Sequence, residues 1–224
     1  MSNAHYLDSL YPLQDRVLKI LEGLQTPFYL TGGTALSRCY LQHRFSDDLD
    51  FCVNRRPEFE HDTPNVLAAM RADSSITIEV ETSGPEFMRC QVVENSVRLK
   101  LDFVNDIFYR YGAVQPHGLF YRVDNLRNIL SNKFSALSRN EAKDVADIIF
   151  ICKNIAFNWR EVMAEGQQKD DWVNPLEISR YLAEYDIHRL EKIQWLCQVD
   201  YTEFAQYLGL TAREILFGTD HHPG

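Results

Sequence analysis

Two aspartates spaced two residues apart, in Arg44-Phe45-Ser46-Asp47-Asp48-Leu49-Asp50-Phe51, are where this sequence most plainly offers chemistry. If Leu49 to Val53 is a strand, side chains alternate, so Asp48 and Asp50 share one face while Leu49 and Phe51 point into the core. Carboxylates ~7 Å apart along a strand repel unless a cation sits between them. Oxygen donors of this kind suit magnesium or manganese; the plain alternative is an acidic surface turn. Asp47 falls on the opposite face and reads as a turn or helix-contact residue. A second strand candidate, Val97 to Val104, sets Leu99, Leu101 and Phe103 against Arg98, Lys100 and Asp102. Beside the first strand, Asp102 would complete a three-carboxylate metal cluster. With phosphate oxygens, such a cluster can fill the shells of two magnesium ions that clamp an in-line displacement.

Gly32-Gly33 ends the short apolar run Phe28-Tyr29-Leu30 and precedes a helical pattern. A strand that enters a helix through two glycines lets the backbone approach a ligand closely and presents free N–H groups to an anion. A tight strand-to-helix turn is the simpler reading of the same residues. Thr34 suits the helix cap better than a phosphate contact. Lys133 lies three and four residues from Leu130 and Ile129, on the apolar side of its helix, so it needs an anionic partner or must snorkel outward. Asp144 and Asp147 sit one turn apart in the next helix, and both can border one cleft; Arg139 and Asp144 could form an ion pair that orients Lys133.

The elements that must carry these residues change character along the chain. Pro12 opens an amphipathic helix through Leu13, Val17, Ile20, Leu21 and Leu24. Strands follow at Phe28–Leu30, Leu49–Val53, Ile76–Glu81, Phe87–Val93 and Val97–Val104, with a helix at Pro64–Arg71 and an edge strand at Phe120–Val123. Glu94-Asn95-Ser96 reads as a hairpin turn. Later segments read as helices at about 124–138, 141–156, 159–169, 175–185, 187–197 and 201–216. The pattern is α+β: a mostly antiparallel or mixed sheet over residues 1–123, then a helical bundle over 124–224 that is expected to pack on the active-site cleft.

Apolar residues at 45% and charged residues at 25% are the balance of an ordinary globular chain of 224 residues. No apolar run approaches the ~20 residues of a membrane helix, and the first residues lack a signal-peptide pattern, so a cytoplasmic protein is expected. The five cysteines fit no metal or disulfide spacing and read as small buried hydrophobes; His221 and His222 read as a frayed tail. A net charge of −9 argues against non-specific nucleic-acid binding. A nucleic-acid acceptor would need Arg38, Arg44, Arg55, Arg56, Arg98 and Lys100 to make a local basic rim.

Leu30-Thr31-Gly32-Gly33-Thr34-Ala35-Leu36, followed by Arg44 to Phe51, resembles the AbiEii/AbiGii-type toxin nucleotidyltransferases of the polymerase-beta-like superfamily. The resemblance continues through Asp102 and through Ile129 to Arg139 and Lys143 to Asp147, so it covers roughly residues 28–150. It implies a polymerase-beta-like core and a magnesium-dependent transfer of NMP from an NTP to an acceptor hydroxyl, with release of pyrophosphate. It places metal on Asp48, Asp50 and Asp102, and the nucleotide on Gly32, Gly33, Thr34, Lys133 and Arg139. Lys133 and Asp144 join the active site by the same resemblance, with Asp144 preferred over Asp147; Arg44 and Ser46 are read as braces of the metal-bearing strand. The implied setting is a bacterial toxin–antitoxin or phage-defence pair with a cognate antitoxin. The favoured acceptor is the tRNA 3′ end, a protein hydroxyl being the second choice. The competing class is a catalytically inert nucleotide- or partner-binding protein on the same fold.

Overall fold

The computed structural model describes residues 3–223. They divide into two compact units: residues up to 39 together with 45–124, and residues 40–44 together with 125 onward. We call these the sheet unit and the helical unit.

The sheet unit begins with helical turns at Asn3–His5 and, in π geometry, Tyr6–Leu10, which run directly into α1 (Tyr11–Gly23). Pro12 therefore lies within a longer helical segment rather than opening it. Pro12 still sits in the first turn of α1 proper, where its missing N–H costs little. Strand β1 (Tyr29–Thr31) leads into α2, which starts at Gly32–Thr34 and continues in π geometry through Ala35–Leu41. Then come β2 (Leu49–Asn54), α3 (Phe59–Arg71), β3 (Thr77–Ser83), β4 (Phe87–Glu94) and β5 (Val97–Asp106). Helix α3 starts a turn earlier than Pro64 suggests. Its extra turn buries Phe59, whose ring meets Phe28 edge-on at 5.9 Å, and that apolar contact outweighs the proline.

The sheet order is β1-β2-β5-β4-β3, with β2 and β5 parallel and the other pairs antiparallel. One face is sealed by aromatic packing: Phe51 stacks on Phe103 at 5.1 Å, and Phe103 meets Phe28 at 5.0 Å. Full burial of each such ring stabilises the fold by roughly 1.5–3 kcal/mol. Because side chains alternate, burial of Phe51 and Phe103 on this face sends Asp50 and Asp102 to the other.

Phe120 to Val123 is not a strand of the sheet. It runs as a strap that bends at Tyr121 and Arg122, and its Val123 makes single bridges to Leu30 and Gln115. The strap closes on β1 through Leu30 N to Arg122 O at 2.8 Å and Asp124 N to Leu30 O at 2.9 Å. With β1 only three residues long, no longer ladder can form.

The helical unit holds α4 (Leu126–Ala136) with a 3-10 turn at Leu137–Arg139, α5 (Ala142–Cys152), α6 (Trp159–Gln167), α7 (Pro175–Ala183) and α8 (Tyr201–Phe217). Asn125, Asn158, Asn174 and Asp200 cap their helices with side-chain oxygens. The helix expected at 187–197 is a 3-10 stretch, Ile187–Lys192, in which Leu190 alone is buried; one inward residue cannot define an apolar face. His221 is not part of a frayed tail, whereas His222 lies exposed beyond the last element. His221 is buried in a two-stranded ladder, β6 (Phe157–Asn158) with β7 (Asp220–His221). Its ring stacks on Phe157 at 4.8 Å and bonds Glu214 and the Cys152 carbonyl, each at 2.7 Å. Four of the five cysteines are buried and Cys197 is exposed; all are free thiols.

Candidate active site

The polar face of the sheet unit assembles from three neighbouring strands. Thr31 of β1 pairs with Asp50, and Asp50 pairs in parallel register with Asp102. Asp48 immediately precedes β2 and is the third acidic position of this patch. Gly32 closes over it from the end of β1. Its backbone has φ +68°, and a Cβ there would lie 2.4 Å from Asp50 Oδ2. The left-handed conformation strains any larger residue, and a side chain there would have to displace the Asp50 carboxylate. The α2 N-terminus thus begins against the Asp50 carboxylate.

Each remaining carboxylate is met by a basic side chain of the adjacent strands. Arg89 of β4 grips Asp102 with two bonds, Nε to Oδ1 and Nη2 to Oδ2, both 2.7 Å. Lys100 Nζ lies 2.6 Å from Asp48 Oδ2 and 4.0 Å from Asp102 Oδ2, so one ammonium stands between two acids. Partial burial pulls the Lys100 ammonium down, but Asp48, Asp102 and Asp50 outweigh it and raise its pKa. Among the described residues, no three acidic, histidine or cysteine side chains converge closely enough to enclose a metal as they stand. The donor chemistry nevertheless fits a hard divalent cation: oxygen atoms at adjacent register positions of one sheet face, already neutralised by side-chain cations.

The loop before β2 is braced from α1 and from the π turn that precedes it. Gln14 Nε2 donates to the carbonyls of Ser46 and Asp47 at 3.1 and 3.2 Å, and Tyr6 donates to Asp47 Oδ1 at 2.7 Å. Thr34 does not cap its helix with its side chain; Thr31 holds the N-cap position. The buried Thr34 hydroxyl instead bonds the Asp48 carbonyl and, at 2.9 Å, the Ser46 hydroxyl, so its side chain positions the Asp48 backbone.

The resemblance-derived residues Lys133, Arg139 and Asp144 lie in the helical unit, within a buried ion cluster. Lys133 Nζ reaches Asp144 Oδ1 at 2.7 Å and Asp147 Oδ2 at 2.6 Å. Asp147 also accepts two bonds from Arg44, Nε to Oδ1 and Nη2 to Oδ2, each 2.7 Å, and lies 2.8 Å from His43 Nε2. Burial pushes the Asp147 carboxyl up, but Arg44, Lys133 and the His43 bond hold it well below the usual carboxylate range. Arg139 is the loosest member, 63% exposed and 3.2 Å from Asp144. Arg44 therefore braces α5 through Asp147, and its bonds anchor the 40–44 segment within the helical unit. The other basic residues considered for a rim are dispersed. Arg38 pairs with Asp15 at 2.7 Å, Arg98 pairs with Glu79, and Arg55 and Arg56 follow the far end of β2.

Arg89 and His43 escaped the sequence reading. For Arg89 the signal was present: a two-residue loop at Asn95-Ser96 pairs Glu94 with Val97 and therefore Arg89 with Asp102. His43 carried no such local signal, since its partner lies 104 residues away.

A five-stranded mixed sheet whose Gly-Gly turn closes on a strand-borne Asp-x-Asp, with a further aspartate in register, defines the class of nucleotidyltransferase folds. JHP933 from Helicobacter pylori resembles this chain in fold at a TM-score of 0.65 and 22% identity, over 97% of this chain and 94% of that one. MenT4, a nucleotidyltransferase toxin from Mycobacterium tuberculosis, does so at 0.67 and 17%, over 93% and 82%. The chain belongs to the family described as the nucleotidyl transferase AbiEii toxin of type IV toxin–antitoxin systems, whose model matches residues 16–214. No match was found among curated proteins.

Proposed function

We propose that this toxin-family nucleotidyltransferase moves NMP from an NTP to an acceptor hydroxyl and releases pyrophosphate. The observation that carries the reading is the closure of Gly32 onto Asp50, with Asp102 in register beside it. Asp48, Asp50 and Asp102 would hold magnesium, or manganese in its place. That metal supplies charge neutralisation at phosphorus and a lowered pKa for the attacking hydroxyl. The backbone N–H groups of Gly33 and Thr34, at the start of α2, would hold the β- and γ-phosphates. Asp102 would orient the acceptor hydroxyl, and Arg89 and Lys100 fix the carboxylates until substrate arrives.

We favour the tRNA 3′ end as acceptor over a protein hydroxyl, and a cognate antitoxin, whether in a toxin–antitoxin or a phage-defence setting, as the regulatory partner. Among the described residues no helix is long and apolar enough to cross a membrane; a cytoplasmic site of action is part of the same proposal. The nucleotide role of Lys133, Arg139 and Asp144 is a separate proposal. Arg139→Gln tests it: a raised KM for NTP at unchanged melting temperature supports a phosphate contact, and an unchanged KM removes it.

The experiment is incubation with magnesium, each labelled NTP, and total tRNA or cell lysate, beside an Asp48→Ala/Asp50→Ala control. Label that enters RNA 3′ ends and is lost in the control is the expected result. Label in a protein band would change the acceptor. Nucleotide binding without transfer to any acceptor would favour the inert binding protein, a reading to which the bidentate grip of Arg89 on Asp102 lends specific support.

A further inference from the structure

The sheet unit contains a cavity of about 440 Å³ at the far end of β2 from Asp50, lined by Tyr29, Asn54 and the residues that follow. Four arginines line it, Arg55, Arg56, Arg110 and Arg122, against one carboxylate, Glu58. The strand spacing puts Asn54 ~13 Å along β2 from Asp50, so this cavity is separate from the carboxylate face.

The four arginines are not equivalent. Arg56 bonds the mostly buried Asp62 and lies 3.5 Å from Glu58, and Arg55 lies 3.7 Å from Glu86, the two glutamates being largely exposed. Arg110 and Arg122 are held differently. Arg110 lies over the Tyr29 ring at 5.0 Å, donates from Nη2 to buried Asp124 at 2.7 Å and from Nη1 to the Gly112 carbonyl, and keeps one N–H on each Nη for a ligand. Arg122 is carried by the strap that pairs with β1. The Nε atom of each is buried with no hydrogen-bond partner among the described residues. A buried donor left unmet costs ~1–3 kcal/mol, and more when charged, and four guanidinium groups around one lining carboxylate leave this cavity short of anionic partners. Two guanidinium forks suit one phosphate group, and the volume suits a mononucleotide-sized ligand. On a chain of net charge −9 the positive charge here is local rather than part of a general polyanion track.

We propose that this cavity is a second, non-catalytic anion site that takes the phosphate of a nucleotide-sized ligand through Arg122 and Arg110. The phosphate has two sources with shared chemistry, a free nucleotide or the phosphorylated end of an RNA, and the test separates them. Binding of AMP, and of a short RNA with and without a 5′-phosphate, is measured by calorimetry in EDTA for wild type, Arg122→Gln and Asp48→Asn/Asp50→Asn. The expected result is binding by wild type and the carboxylate variant alike, at least tenfold weaker in Arg122→Gln. Preference for AMP assigns the site to free nucleotide, and preference for phosphorylated RNA assigns it to the RNA end. Should Arg122→Gln melt early, arginine Nε–H resonances of wild type provide the readout, with those of Arg110 and Arg122 expected to shift on AMP addition. No binding to wild type, equal binding to Arg122→Gln, loss in the carboxylate variant, or unmoved Nε–H resonances would each overturn the proposal. Because metal is absent throughout, failure of nucleotidyl transfer leaves this result untouched.

Discussion

The two acidic clusters of this chain use the same residue types to opposite ends. In the sheet unit, Asp48 and Asp102 are partly accessible, at 25% and 11% of their side chains, and face Lys100 and Arg89 from neighbouring strands. In the helical unit, Asp144 and Asp147 are fully buried and share Lys133, with Arg44 and His43 added on Asp147. Near solvent, an ion pair is worth little and its partner is readily exchanged. Inside, removing one partner strands the others. The proposed function requires the first cluster to exchange its side-chain cations for a ligand's, whereas the second locks α4, α5 and the 40–44 segment together. A carboxylate's accessibility and the replaceability of its partner distinguish chemistry from scaffolding here better than the carboxylate itself does.

The sharpest way to break this contrast is to neutralise one acid in each cluster. Asp147→Asn leaves Arg44 and Lys133 buried beside an amide and should cost ~3–5 kcal/mol of stability, read from urea unfolding. Asp48→Asn should leave the unfolding midpoint within ~0.5 kcal/mol of wild type while abolishing transfer. A destabilised Asp48→Asn with a robust Asp147→Asn would reverse the assignment of roles.

Gly32→Ala comes next. A left-handed backbone costs a non-glycine residue ~1–2 kcal/mol, and the new methyl would lie 2.4 Å from Asp50 Oδ2. The expected outcome is that stability loss together with a loss of nucleotide affinity, measured by calorimetry with a non-hydrolysable NTP. Full affinity in Gly32→Ala would detach the turn from the site.

Much of this arrangement was legible in the sequence because it rests on short-range rules. Alternation put Asp48 and Asp50 on one face, the same rule put Asp102 opposite Phe103, and the glycine pair announced a strand-to-helix turn. The rest depends on long-range pairing that no local pattern encodes. Whether β5 lies beside β2 is a matter of sheet order, and the joining of His43 and Arg44 to Asp147 depends on tertiary packing. The strap at 120–123 reads as a strand because Phe120, Tyr121 and Val123 are aromatic or β-branched; bends at Tyr121 and Arg122 and a short partner deny it a ladder. His221 reads as tail because nothing nearby in sequence shows Phe157 and Cys152 waiting for it.

Lys100→Met should sharpen the comparison from the other side. Its ammonium lies between Asp48 and Asp102 and competes with any metal for the same oxygens. Removing it should tighten manganese binding about tenfold, equivalent to ~1.4 kcal/mol, as measured by calorimetry or paramagnetic relaxation. Unchanged or weaker binding would show that Lys100 supports the metal-ready geometry instead of competing with it.

The smallest expected effect is a pH dependence centred on the buried cluster. Asp147 accepts from His43 Nε2, so neutral His43 carries its proton there, and its Nδ1 is buried with no partner among the described residues. Burial is the main cause that lowers the His43 pKa below its ordinary value of 6.5, with Arg44 and Lys133 adding to it against the opposing pull of Asp147. A depressed histidine binds its proton later in the fold than in the unfolded chain. Its contribution is therefore complete above pH ~6.5 and is lost as pH falls from there toward the folded pKa. Asp147, also depressed, keeps its contribution above pH ~4 and loses it only in stronger acid. His188, raised by Glu191 at the surface, works in the opposite direction, since its contribution fades as pH rises. Acid unfolding should accordingly show a shallow decline below pH ~6.5 and a steep one below pH ~4. His43→Gln retains an N–H donor for Asp147 but cannot titrate, so the shallow stage should flatten while the steep one stays. If the variant kept the wild-type slope between pH 7 and 5, His43 would not be the group that titrates there.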